Sequence, residues 1–281
     1  MRIELTLSPE KNCIIPINYY YAISAVIYKI LSFSSHEYAT WLHDKGYMDS
    51  RGKPRKLFNF SSLKIIPRAK LQNDSLIISE SSQVTLYISS PLLEDFIQNF
   101  VQGIFLDQRI TIANKRTAGK FHVSKVFVMP KPEFNERTQY RLLSPLLLST
   151  MRERNGKLYQ YYLQPDDEEI EKLVKQNILR KYETIYKKEF LPTKFIFNLD
   201  QNYIASKGGP NCISKLITIN ITNKDKEEIK KIKAFIAPFT LETDIELHEL
   251  IYECGIGEKN SQGFGMVEIK KEKTSEKQKL G

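Results

Sequence analysis

Cysteine is scarce in this chain of 281 residues: Cys13, Cys212 and Cys254 are its whole complement. Three scattered thiols suit neither a disulfide framework nor a zinc site, so a reducing cytoplasm is the expected setting. Histidine is nearly as rare, with His36, His43, His122 and His248. None falls in an H-E-x-x-H spacing and none stands near a cysteine pair, so neither a metal nor another cofactor is expected. No apolar run is long enough to cross a bilayer, and the opening MRIELTLSPE reads as a strand, not as a secretory leader.

Glycine is the most informative shortage. Only 12 occur in the chain, yet Gly255, Gly257, Gly263 and Gly265 crowd into GIGEKNSQGFGMVEI. Glycine weakens a fold unless positive φ or a close approach requires it. The stretch is therefore a demanding turn or a surface that another molecule touches. It is not a phosphate-binding P-loop, because the G-x-x-x-x-G-K-[ST] order is absent. It is not a dinucleotide fingerprint either, since Asn260 stands where the third glycine would fall.

Carboxylates are missing locally. Between Arg51 and Lys70 there are seven basic residues and no acidic one; between Arg109 and Lys131 there are six, with His122, and again no acid. The net charge of +9 is thus concentrated in blocks that also contain strand-like segments. These read as folded positive faces suited to a polyanion and not as disordered tails.

What is present has a repeating order. RIELTLSP alternates as a first strand, and 17–31 carries apolar residues at helical spacing. Ser34 or Ser35 caps a second short helix that Gly46 ends. KLFNFSSLKII and SLIISESSQVTLYIS read as strands, Pro91 opens a helix, and RITIANK and HVSKVFVMP complete the half. PKPEFNE then marks a boundary. YRLLSPLLLST is a strand interrupted by Pro145. The helix after Pro165 carries acids in its first turn and lysines in its last. Strands KFIFNL and SKLITINIT follow, then the helix ETDIELHELIYEC and a last strand FGMVEIK. Each half reads as βαββαβ. The expected class is α+β: two tandem ferredoxin-like (RRM-like) domains over 1–130 and 137–270, with a charged, disordered tail at 271–281.

The residues also offer one acid–base set without metal: His43 at the end of a short helix, Tyr28 on the preceding helix, and Lys56 at the head of a strand. Singly, each is an ordinary residue of a helix edge, a core or a surface.

The glycine loop, with LHD…KLFNFSSL and VIYKIL, resembles the CRISPR repeat-RNA endoribonucleases of the Cas-six family over nearly the whole chain. The resemblance implies an N-terminal domain carrying the catalytic residues and a C-terminal domain carrying the glycine-rich loop. The family's histidine falls on His43, its tyrosine on Tyr28 and its lysine on Lys56, with His36 as competitor for the proton-transfer role. The implied reaction is attack of an RNA 2′-hydroxyl on the adjacent phosphate, leaving a cyclic phosphate and a 5′-hydroxyl without a metal. His43 would move the proton, Lys56 would meet the transition-state charge and Tyr28 would position the nucleophile; acid and base stay undivided. RNA contacts are expected from Gly255, Gly257, Lys259, Asn260, Ser261, Gly263 and Gly265. Two basic sets are also expected to contribute, Arg51, Lys53, Arg55 and Lys64, and Arg109, Lys115, Arg116 and Lys120. Partners would be CRISPR repeat RNA and other subunits of an effector complex, with the protein a monomer or homodimer. The competing readings are a non-catalytic repeat-RNA-binding subunit and a protein-interaction adaptor.

Overall fold

The computed structural model describes residues 1–223 and 226–270, with 219–223 and 226–230 described by backbone only. The charged tail expected at 271–281 lies outside the described residues.

The N-terminal half is built on β1 (Arg2–Pro9), where Ile3, Leu5 and Leu7 alternate inward and are fully buried. It pairs antiparallel with β4 (Gln83–Ser89) on one side and β6 (Ala118–Met129) on the other. Two short strands, β2 (Asn59–Phe60) and β3 (Lys64–Ile66), both pair with β4, and β5 (Arg109–Ala113) adds a hairpin edge to β6. Helices α1 (Tyr20–Ser34) and α3 (Asn99–Leu106) are the two crossovers of the unit, with α2 (His36–Asp44) between them in the chain. Ile23, Ile27, Ile30 and Leu31 recur at helical spacing on the buried face of α1.

The C-terminal half repeats the plan. Its sheet runs β8 (Ile196–Leu199), β9 (Phe239–Glu242), β7 (Arg137–Leu142) and β10 (Val267–Ile269) in spatial order. Helix α4 (Ile170–Tyr186) follows β7, and α5 (Ile245–Cys254) connects β9 to β10. Both sheets place the first strand of the unit between its third and fourth, the ferredoxin-like order. The chain is two tandem ferredoxin-like units.

Several sequence expectations shift in detail. KLFNFSSLKII is not one strand, because Ser62 breaks off to donate its amide to Leu143 O of the other half at 2.9 Å. SLIISESSQVTLYIS divides at a turn into Ser75–Ile78 and β4. The segment after Pro91 begins as a π-helical turn over Leu93–Gln98 before α3. Helix α4 has no base in its last turn; Lys187 lies beyond it as a left-handed cap. Two long hairpins, Ser149–Arg154 with Lys157–Tyr162 and Ser214–Asn223 with Lys226–Phe235, extend from the second unit.

The glycine loop sits at the join between the halves. All four of its glycines have positive φ. A Cβ on Gly265 would lie 1.8 Å from Ile256 O, and one on Gly257 would lie 2.4 Å from Leu147 O. The close approach that excludes side chains here is thus made by the protein's own backbone. Gly265→Ala is expected to cost about 3 kcal/mol or more, since neither backbone nor φ can accommodate it. Gly52→Ala, also at positive φ but with open space around it, is expected to cost about 1 kcal/mol. Urea unfolding of the two variants checks the contrast.

Candidate active site

Helix α2 begins with Ser35 Oγ accepting from the Tyr38 amide at 3.2 Å. Its far end is the less usual one. The Lys45 and Gly46 amides both turn back to Trp41 O, which leaves the Leu42 and His43 carbonyls without main-chain partners in that turn. Lys56 supplies them: its Nζ donates to Leu42 O at 2.5 Å and to His43 O at 2.6 Å. A cation at this end also meets the negative pole of the helix. Gly46 makes the slot, because a Cβ there would lie 2.8 Å from Arg55 O and 3.2 Å from Lys56 Nζ.

Lys56 therefore grips the backbone of the residue whose side chain is His43. The His43 ring meets Tyr28 edge to face, with centroids 5.2 Å apart, and Tyr28 meets the buried Phe58 in the same way at 5.7 Å. His43 is exposed, and its Nδ1 lies 2.8 Å from Asp44 Oδ1. Burial lowers the Lys56 ammonium from its ordinary value, with Asp44 opposing. Burial pushes the Tyr28 phenol well up, so it stays protonated across the neutral range. Three residues from a helix, a second helix and a strand entry thus converge. His36 does not join them. It opens α2, two turns from His43, in a separate depression with Trp41 and Lys45.

The backbone between Lys56 and Phe58 is strained. Leu57 has φ 52°, a left-handed conformation that costs a branched residue on the order of 1–2 kcal/mol. The strain has a packing cause. Leu57 enters the apolar core of the C-terminal half, while Phe58 enters that of the N-terminal half.

Lys56 also lines the mouth of a cleft of about 640 Å³ between the halves. Arg51, Lys53, Arg55, Arg180, Lys181 and Lys259 line it too, against the single carboxylate of Glu258. Glu258 is itself engaged by the Ser149 amide and hydroxyl at 3.1 and 2.8 Å. Asn260 and Ser261 complete the wall, so the glycine loop and the Lys56 strand face one space although some 200 residues separate them. Such a surplus of fixed cations suits a polyanion.

Asp49 organises the cationic rim. Its buried carboxylate accepts from the Arg51 and Lys53 amides at 3.0 and 2.9 Å and from Arg55 Nη2 at 3.0 Å. Burial alone would raise its pKa, but those amides and Arg55 hold it below the usual carboxylate range.

Comparison with known proteins places this geometry. The model described as "CRISPR-associated protein Cas6, N-terminal" matches residues 14–127, and "CRISPR associated protein Cas6, C-terminal" matches 129–269. The chain belongs to the Cas6 family. It is 31% identical to the "CRISPR-associated endoribonuclease Cas6 1" of Methanocaldococcus jannaschii, over 100% of this chain and 97% of that one. It is 24% identical to the "CRISPR-associated endoribonuclease Cas6" of Pyrococcus furiosus, over 98% and 92%. A solved structure titled "CRISPR associated protein Cas6" superposes with a TM-score of 0.71 at 30% identity, covering 96% of this chain and 99% of that one.

Within this Cas6 chain the remaining sequence candidates divide. Arg51, Lys53 and Arg55 line the cleft, as do Gly257, Lys259, Asn260 and Ser261; Lys64 and the set Arg109, Lys115, Arg116 and Lys120 do not. The second set lies exposed on the β5–β6 hairpin. Gly255, Gly263 and Gly265 are buried against protein. Phe58 and Phe60 are core and cannot stack on a base. His248 is a buried structural histidine between Tyr140 Oη and Glu136 O, each at 2.9 Å. Sequence reasoning missed Asp49, Arg180 and Lys181. Lys181 had a visible signal, since it falls on the apolar stripe of α4 with Val174 and Ile178. Asp49→Ala would leave the Arg51 and Lys53 amides and two arginines without their acceptor. It is expected to lower stability by about 3 kcal/mol at neutral pH. The folded carboxyl titrates below its unfolded value, so that contribution is present above pH about 4 and fades on acidification. Unfolding curves at pH 7 and pH 3 check both statements.

Proposed function

We propose that this Cas6 protein is a metal-independent endoribonuclease that cuts CRISPR precursor transcripts within the repeat, yielding guide RNAs. The observation that carries the reading is the convergence of Tyr28, His43 and Lys56, of which Lys56 also lines a basic cleft. The names of the relatives, CRISPR-associated endoribonucleases, supply the substrate class.

The chemistry follows from what each group offers. Cleavage needs a proton taken from the 2′-hydroxyl, a proton given to the departing 5′-oxygen, and positive charge beside the five-coordinate phosphorus. With Nδ1 donating to Asp44, His43 presents Nε2 as a proton acceptor to the 2′-hydroxyl, and Asp44 steadies the resulting imidazolium. Lys56 spends two N–H groups on carbonyls and keeps one for a phosphate oxygen. Tyr28, held as a neutral phenol, does not serve as a base but can donate a hydrogen bond to the scissile phosphate or its leaving oxygen, which takes its proton from solvent water. The products are a cyclic phosphate and a 5′-hydroxyl. Arg51, Lys53, Arg55, Arg180 and Lys259 would hold flanking phosphates, making affinity strongly salt-dependent.

The test is a repeat RNA incubated with the protein in EDTA. Wild type should cut at one position, and 2′-deoxy substitution at that nucleotide should stop cleavage while leaving binding nearly intact. His43→Ala should lower kcat by about 10²- to 10⁴-fold, and His36→Ala should change it little. Normal cutting of the 2′-deoxy RNA would falsify the mechanism. Tight binding by wild type without product would favour a non-catalytic binding subunit.

A further inference from the structure

One charged side chain of the cleft plays no part in the reaction above and has an unusual setting. Lys181 on α4 is 4% exposed. Its Nζ donates to Gly255 O at 2.8 Å and to Gly257 O at 3.1 Å. Among the described residues no carboxylate lies within ion-pair distance of it. A buried ammonium without a counter-ion is costly, and an apolar residue would fill that place on the stripe more cheaply.

We propose that Lys181 is a positioning residue for RNA binding: its ammonium holds the carbonyls of Gly255 and Gly257 against α4, and the phosphates of RNA in the cleft complete its charge. The inference rests on the RNA reading given above.

The geometry supports both parts. The glycine loop crosses a cleft suited to phosphates, where outward-facing carbonyl oxygens would repel the ligand. Lys181 gathers two of them onto a cation inside the protein, while the Ile256 and Glu258 amides are fixed to Gly265 O and Leu147 O at 2.8 Å each. The loop is thereby set before RNA arrives, which removes an ordering cost from binding.

The charge responds to RNA because little else balances it. The groups facing Lys181 are Cys254 on α5, Arg55 on the rim and Glu258 on the loop, with Arg180 beside it on α4. Burial, aided by Arg55 and opposed by Cys254 and Glu258, brings the ammonium down to about 7. In the free protein near neutrality the group is therefore only partly charged. Phosphates entering the cleft favour the charged form, so binding takes up a proton. The sign follows by linkage: binding that takes up a proton weakens as pH rises. The affected window lies above the free value of about 7.

Calorimetry with a synthetic RNA of one repeat, 2′-deoxy at the cleavage site and in the slowed His43→Ala background, reads this directly. Titrations at pH 8 in two buffers of different ionisation enthalpy should show about one proton taken up per RNA. Adding Lys181→Met should abolish the uptake and flatten the pH dependence of Kd. In the otherwise native enzyme, Lys181→Met should raise KM about tenfold and leave kcat near wild type, a split that a general loss of folding would not give. Should the double variant fail to fold, the first titration still decides, because binding without proton uptake overturns the role of Lys181. Uptake that persists in a folded double variant overturns it equally. A protein that binds no repeat RNA at any pH overturns the RNA reading and this inference together.

Discussion

The structure depends on seating one glycine-rich loop between two folded halves. Gly257 lies against Leu147, Gly263 against Tyr20 and Phe60, and Gly265 against Ile256. No side chain fits at these points, and every neighbour is already committed to a core. The loop in turn ties the halves together. Ser24 on α1 donates to Ser261 O at 2.9 Å, and Phe264 stacks on Tyr20 with centroids 5.9 Å apart. Close by, Arg2 is buried over the Tyr252 ring and donates to Tyr252 O. Asn59 donates to Glu253 O at 2.7 Å. Side chains of the first half thus bind main chain and rings of the second at several points beside the cleft.

Packing at this join also explains the strain at Leu57. Lys56, Leu57 and Phe58 must reach three places in three residues: the end of α2, the second core and the first core. An extended strand alternates between two sides only, so the chain turns through a left-handed residue to serve all three. Over-determined surroundings are what let such a conformation persist. The result is a lysine whose position is set by both halves at once. Its ammonium, gripping Leu42 O and His43 O, passes that position on to the histidine.

Much of this was legible in the sequence, and the reasons are local. Alternation in RIELTLSP, the helical spacing of Ile23, Ile27 and Ile30, and the Ser35 cap all reflect short-range physics, and all hold. Residue types alone offered Tyr28, His43 and Lys56 as a set, and family resemblance sharpened it, but their contact is a tertiary fact. Other features were missed despite a signal. Asn155-Gly156, both at positive φ, closes the hairpin from Ser149 to Tyr162, and that dipeptide is a strong hairpin mark. The break at Ser62 carried no local signal, since its cause is a carbonyl 81 residues away in the chain, Leu143 O. The glycine loop shows the limit most clearly. Sequence alone left turn geometry and ligand approach as rivals, whereas here the buried glycines satisfy the turn and Lys259, Asn260 and Ser261 face the cleft.

The placement of charge completes the physical picture. Two basic blocks look equivalent in sequence, yet only one is concentrated by the fold. On the β5–β6 hairpin the cations stand in open solvent, where Arg109 is already paired with Asp107 at 3.0 Å. Water and salt weaken their combined field. In the cleft, Arg51 and Arg55 share the buried Asp49 while Arg180 and Lys181 approach from α4, where burial first and then the nearby arginines lower their hold on a proton. Mutual repulsion of this kind destabilises the free protein. Phosphates entering the cleft, as proposed, would relieve it, so the surplus charge would become binding energy where it was a cost of folding. A cleft built only for stability would carry more carboxylates than the single Glu258 of this lining, and the proposed ligand would supply the missing negative charge.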